Sequence, residues 1–176
     1  TYIRIGILGE WIQKSRAIKI LIDHHQQPDD FDFIYSDTHI PATSQMIYHF
    51  IDALEQTHLV NEEIAQCLYT GIMTDTGGFR YRSTSAATHK IIAELIEKGA
   101  NPAEISSNTW DNNTISRLKL LSLVLGRIEL TKNNSVAILW LKRDELLEFG
   151  FEKGDTDGFV NYGLSLFGVE VSALFI

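Results

Sequence analysis

The chain has 176 residues, 44% hydrophobic and 22% charged, with a formal net charge of −8 and one cysteine, Cys67. This is the composition of one globular domain or one and a fraction, without an internal disulfide, as suits a reducing cytoplasm. The acidity removes the basic footprint that duplex DNA requires, and no apolar run approaches the ~20 residues that cross a bilayer. Small anionic substrates stay open, because a bound divalent cation reverses the local field.

Thr1-Tyr2-Ile3-Arg4 shows no secretory pattern. From Thr1 to Lys14, Ile3, Ile7, Leu8, Trp11 and Ile12 are spaced near helical period, although Gly6 and Gly9 weaken it. Ala17–Ile22 follows as a short apolar run, rich in β-branched residues, which reads as a fully buried parallel strand. It ends in Asp23-His24-His25, where ligands of open α/β sheets sit. Phe31–Ser36 is a second strand. A helix starts at Thr43 and Ser44, its natural N-caps, with Ile47, Phe50, Ile51 and Leu54 on one face.

Asn61-Glu62-Glu63 opens a further helix with acids in its first turn; Ile64, Cys67, Leu68, Ile72 and Met73 form its inner face. The helix runs into Thr74-Asp75-Thr76-Gly77-Gly78-Phe79, where the glycines turn the backbone. Ser83-Thr84-Ser85 caps a helix that packs through Ala87, Ile91, Ile92, Leu95 and Ile96 and stops at Gly99. A short helix starts at Asn101-Pro102, and a longer one covers Thr114 to Ile128 with Leu118, Leu121, Val124 and Leu125 inward. After Lys132-Asn133-Asn134 the pattern gives a strand (Ser135–Leu141), a helix (Arg143–Phe149), a polar loop, a helical stretch (Phe159–Phe167) and a strand (Val169–Ile176).

Two clusters carry chemistry. Adjacent strand-end side chains point in different directions, so His24 and His25 serve different roles if they serve any; the bland alternative is a pair of surface histidines. Asp75 is a carboxylate at a helix C-terminus, where the dipole disfavours negative charge. A nearby cation would resolve that conflict, whereas the plain alternative is a polar turn. Carboxylate with imidazole suits Mn²⁺, Fe²⁺, Co²⁺ or Zn²⁺ better than Ca²⁺, although His24 and Asp75 alone are too few ligands for a catalytic metal. His39, His49, His58 and His89 read as ordinary surface or helix residues. Cys67 reads as a buried, inert thiol. Trp11, Trp110 and Trp140 form no regular stacking platform, and no Walker-type loop is present.

The runs Ile20-Leu21-Ile22-Asp23-His24-His25 and Tyr69-Thr70-Gly71-Ile72-Met73-Thr74-Asp75-Thr76-Gly77-Gly78-Phe79-Arg80-Tyr81 resemble two signature motifs of the DHH phosphoesterase family. Pro41-Ala42-Thr43-Ser44-Gln45-Met46-Ile47-Tyr48 resembles that family's small-and-hydroxyl segment opening a helix. Gly154-Asp155-Thr156-Asp157-Gly158-Phe159-Val160-Asn161 and Val169-Glu170-Val171 resemble the start of its C-terminal substrate domain. The resemblance is nearest to the nanoRNase and 3′,5′-bisphosphate nucleotidase subfamily, often labelled exopolyphosphatase-related.

What the resemblance implies is an α/β fold: a parallel β-sheet flanked by helices over residues 1–126, then the beginning of a smaller α/β C-terminal domain over 127–176. It implies a metal-dependent phosphoesterase acting on short oligoribonucleotides or 3′-phosphoadenosine 5′-phosphate. The alternatives are a cyclic-dinucleotide phosphodiesterase, an exopolyphosphatase, or a truncated nucleotide-binding module without turnover. Carried over, His24 is a ligand of one Mn²⁺ and Asp75 bridges two. His25 contacts the scissile phosphate, Asp23 orients His24, and Thr43, Ser44, Gly77 and Arg80 line the phosphate pocket. Short single-stranded RNA or a small nucleotide is the expected partner, with no duplex DNA and no membrane; a homodimer is one expectation of assembly. The family's upstream His-x-x-Pro-Asp-x-Asp-like motif and terminal Gly-Gly-Gly-His motif have no counterpart here. The expectation is therefore a chain incomplete at both ends, active only within its longer parent.

Overall fold

The computed structural model describes residues 5–131 and 133–176; Ile3 of the expected first helix, and Lys132, lie outside them. Its contacts divide the chain into two compact units, one ending at Asn108 and the other beginning at Thr109.

The first unit runs α1 (Ile7–Lys14), β1 (Ile20–Asp23), β2 (Phe33–Ser36), α2 (Thr43–Ala53), a 3-10 turn (Thr57–Leu59), α3 (Glu62–Asp75) and α4 (Ala86–Glu97). α5 (Pro102–Trp110) crosses the division. β1 and β2 are parallel, from Ile20 beside Phe33 to Asp23 beside Ser36. α2 packs on β1 and on α3, and α3 packs on α4. Tyr48, Leu68, Tyr69, Ile72, Met73, Ile91 and Leu95 form the core between these helices. The Tyr48 hydroxyl donates to the Glu94 carboxylate, joining α2 to α4.

Local chemistry sets the ends of these helices. The Asn61 side chain accepts from the Ile64 amide at 3.0 Å, and Ser85 forms a capping box with Thr88. α2 differs from expectation: its N-cap is Ala42, and no side chain caps it. Thr43 and Ser44 are instead its first helical residues. β1 also differs, because Ile18 is 73% exposed and Ile20 58%, while Leu21 to His24 are half-buried. A parallel strand is fully buried only where both faces are covered, and α2 covers one side of β1. Cys67 is exposed rather than buried, as is Ile64 beside it. Both lie at the edge of a stripe whose centre is Ala65, Leu68, Tyr69 and Ile72. On α4, Thr88 takes the buried place expected of Ala87, and Ile96 is exposed.

The second unit holds α6 (Ile115–Gly126), β3 (Glu129–Leu130), β4 (Val136–Trp140), α7 (Arg143–Glu148), α8 (Val160–Leu164) and β5 (Val171–Phe175). β3 runs antiparallel to β4, and β4 parallel to β5. Leu120, Val124, Ala137, Leu139, Leu141 and Phe159 make its core. The buried stripe of α6 runs through Leu120 and Val124, leaving the expected Leu118 and Leu125 exposed. The helical stretch expected over Phe159–Phe167 is shorter, and Gly163 seats it on the sheet: a Cβ there would come within 2.1 Å of Ser172 Oγ. Arg117 spans the loop before α8, donating to the carbonyls of Gly154, Asp155 and Asp157.

Candidate active site

β1 delivers Asp23 as its last residue, with His24 and His25 just beyond its carboxyl end. The backbone alternation then sends the two imidazoles to different partners. Nδ1 of His24 lies 3.2 Å from the Ile40 carbonyl. A carbonyl only accepts, so this nitrogen carries a proton, and in the neutral ring Nε2 presents its lone pair. That Nε2 stands 3.7 Å from Oδ2 of Asp75, the last residue of α3. The His24 side chain is 19% exposed and that of Asp75 44%, so neither group is walled off from solvent.

A separation of 3.7 Å is too long for a direct hydrogen bond. It is the spacing of two donors about 2.0–2.2 Å from one cation, at an angle somewhat wider than tetrahedral. The pair therefore fits a first-row divalent metal. Two donors do not complete a metal site, and among the described residues no group of three or more His, Cys, Asp or Glu side chains could hold an ion.

Asp23 does not orient His24, as the sequence reading expected. Its Oδ1 lies 2.6 Å from Nδ1 of His25 and accepts the His25 amide at 3.2 Å. Burial works to raise the Asp23 carboxyl, but the bonds from the His25 ring and amide, helped by both imidazoles, together hold it below the ordinary aspartate value. The main-chain carbonyl of Ile40 takes the orienting role at His24 instead. The two imidazoles meet edge to face, with centroids 4.5 Å apart.

Asp75 is carried by a close helix pair. A Cβ built on Gly71 would come within 2.0 Å of Ser44 Oγ, so only glycine lets α3 approach the first turn of α2. Ser44 therefore stands at the α2–α3 seam, beside Thr43. The chain leaves α3 through Thr76, which is fully buried. Its Oγ1 donates to the Ile72 carbonyl at 2.7 Å and accepts from the Phe79 amide at 3.1 Å. Gly77, Gly78 and Phe79 then all adopt positive φ (58°, 71° and 66°). Arg80 folds back, its Nε donating to the Gly77 carbonyl at 2.8 Å.

The structure thus brings together His24 with Asp75, His25 with Asp23, and Arg80 with Gly77. No described side-chain contact joins Thr43 or Ser44 to either histidine. Sequence reasoning missed Ile40, Thr76 and Phe79. A main-chain carbonyl leaves no residue signature. The Gly-Gly pair announced a turn, but not the hydroxyl that closes it.

Residues 9–72, which include Asp23, His24 and His25, match the DHH family, N-terminal domain. By this match, residues 9–72 are similar to the N-terminal domain of the DHH family. It is 26% identical over 164 residues to the bifunctional oligoribonuclease and PAP phosphatase NrnA of Bacillus subtilis, covering 92% of this chain and 52% of that protein. It is 30% identical over 158 residues to the probable enzyme of the same name from Streptococcus mutans, covering 89% of this chain and 50% of that one. The crystal structure of an exopolyphosphatase-related protein from Bacteroides fragilis is similar with a TM-score of 0.93 and 34% identity, over 99% of this chain and 52% of that chain. This chain thus spans about half the length of these relatives. Its α/β architecture, with one small parallel sheet and one small mixed sheet, agrees with the fold that the DHH resemblance implies.

Proposed function

We propose that the full-length protein is a metal-dependent phosphoesterase that hydrolyses short oligoribonucleotides, 3′-phosphoadenosine 5′-phosphate, or both. The observation that carries this reading is the approach of His24 Nε2 to Asp75 Oδ2 at 3.7 Å, from elements far apart in sequence. The names of the Bacillus and Streptococcus relatives support the substrate class.

Mn²⁺ is the proposed metal, held in part by His24 and Asp75; when bound, a pair of such ions supplies Lewis acidity and a water acidic enough to be a nucleophile at neutral pH. The chain's own residues do the rest. Ile40 fixes the His24 tautomer so that Nε2 faces the metal position. Asp75 would hold metal through its carboxylate. Asp23 fixes the plane of the His25 ring, and His25 contacts the phosphoryl group. Thr43 and Ser44 open a helix with no side-chain cap, a setting that suits an anion. Arg80 adds a guanidinium whose terminal nitrogens have no partner among the described residues. The remaining metal donors come from outside the described residues, from solvent or from substrate. A cytoplasmic location and a homodimer belong to the same proposal; among the described residues no helix is long and apolar enough to cross a membrane.

The test is turnover of 5′-pApA and of 3′-phosphoadenosine 5′-phosphate by the full-length protein with Mn²⁺. His24→Ala and Asp75→Asn should each lower turnover more than about a hundredfold, beyond the loss typical of removing a group that only orients a ligand. Equal rates in wild type and both variants would remove the metal role. Hydrolysis of polyphosphate with no action on either nucleotide would favour the exopolyphosphatase alternative, which the name of the Bacteroides relative supports.

A further inference from the structure

The turn after Asp75 does more than end a helix. Three consecutive residues with positive φ, one of them Phe79, form a conformation that L side chains rarely adopt. A non-glycine residue held there costs on the order of 1–3 kcal/mol and persists only where its surroundings over-determine it. Here they do. The Phe79 amide donates to Thr76 Oγ1, and the amides of Arg80 and Tyr81 both donate to the Thr76 carbonyl, at 3.0 and 3.1 Å. The Phe79 ring contacts Tyr69 edge to face at 5.9 Å and His89 at 5.7 Å.

The product of this tight turn is the placement of Tyr81. A Cβ built on Gly77 would lie 2.5, 2.7 and 3.0 Å from Cζ, Cε1 and Cε2 of Tyr81. The nearest atoms are three ring carbons and not the hydroxyl oxygen, so the glycine lies against the face of the ring. Tyr81 is nevertheless 48% exposed. It is an aromatic plate backed by main chain on one face and half exposed overall. Gly77 is two residues from Asp75, within about 7 Å along the chain. Arg80 and Arg82 precede and follow Tyr81 in sequence and are exposed, in a chain of net charge −8. A flat π-surface with an arginine before and after it in sequence suits a nucleotide: a base to stack and phosphate to neutralise.

We propose that Tyr81 is a specificity-determining residue of this site, stacking a nucleobase of the substrate. The proposal rests on the phosphoesterase reading above and adds a reason for nucleotides to be preferred over base-free phosphates. A polyphosphate chain has nothing to lay on the ring.

The test is calorimetric binding of 5′-AMP and of ribose 5-phosphate, which differ only by the base, to the full-length protein loaded with Mn²⁺. Wild type should bind 5′-AMP about five- to a hundredfold more tightly, the range of one base–aromatic stack. Tyr81→Ala and Tyr81→Leu should lose that preference while binding ribose 5-phosphate as before, and Tyr81→Trp should keep it. Tyr81→Leu still fills the space over Gly77, so a collapsed turn is told apart from a lost stack. Equal wild-type affinity for the two ligands, or equal weakening of both in the variants, overturns the role of Tyr81 and leaves the phosphoester site standing. Failure of both ligands to bind wild type overturns both.

Discussion

Nδ1 of His24 faces the Ile40 carbonyl at 3.2 Å, so a main-chain oxygen, not the neighbouring aspartate, decides which imidazole nitrogen can hold a cation. Loss of the ring should therefore be felt in metal affinity before it is felt in folding. Mn²⁺ titration of the full-length protein, followed by electron paramagnetic resonance, should show His24→Ala weakened by more than about a hundredfold, and Asp23→Asn changed far less. Unaltered affinity in His24→Ala would refute the site.

The contact between Gly71 and Ser44 gives a packing prediction. Gly→Ala inside an exposed helix ordinarily stabilises by about 1 kcal/mol. At Gly71 the new methyl would meet Ser44 Oγ at 2.0 Å, and overpacking of this kind costs about 1–3 kcal/mol. Gly71→Ala should thus lower the denaturant midpoint, and Ser44→Ala in the same chain should recover part of the loss.

Tyr48 links α2 to α4 through Glu94, and its alkaline behaviour should show it. Burial first, then the bond to the Glu94 carboxylate, pushes the Tyr48 hydroxyl well above the ordinary tyrosine value of 10.0. Its folded pKa is the higher one, so its contribution is complete below pH ~10 and is lost as pH climbs toward that raised value. Urea unfolding between pH 9 and 11.5 should show a shallower decline in Tyr48→Phe than in wild type. Identical slopes would mean that the hydroxyl is not held in this way.

In the second unit, Glu145 receives both terminal nitrogens of Arg127, at 2.7 and 2.6 Å, and the guanidinium lies 4.6 Å over the Trp140 ring. The Arg127 bonds, joined by the Lys142 amide, pull the Glu145 carboxyl down to about 2. A depressed folded pKa stabilises above the ordinary glutamate range and loses that effect as pH falls through it toward about 2. Trp140 fluorescence should report acid unfolding that is less steep in Glu145→Gln, and lysine at position 127 should not restore wild-type behaviour, since the fork is planar and two-pronged.

How much of this was legible in the residues depends on what each feature is made of. β1 with its Asp-His-His end, and α3 running to a Gly-Gly turn, follow from apolar periodicity and glycine, and both are there. That His24 and Asp75 converge came only with the family resemblance, because nothing local relates positions so far apart. The partner of Asp23 depends on which side each ring turns, and period-2 alternation separates the two histidines without saying which one keeps the carboxylate. Ile18 and Ile20 read as core because a hydrophobic run records what a strand prefers, not what covers it. Ile40 contributes through its carbonyl, which every residue has.

Gly71 precedes Asp75 by about one helical turn, on the same side of α3. The serine seated against it sets the rotational phase of that helix as a key sets a shaft. One residue inserted between the two positions would swing the carboxylate by about 100° and aim it past the imidazole. The distance between glycine and aspartate thus acts as a gauge: changes of sequence inside that turn can be absorbed, and changes of its length cannot.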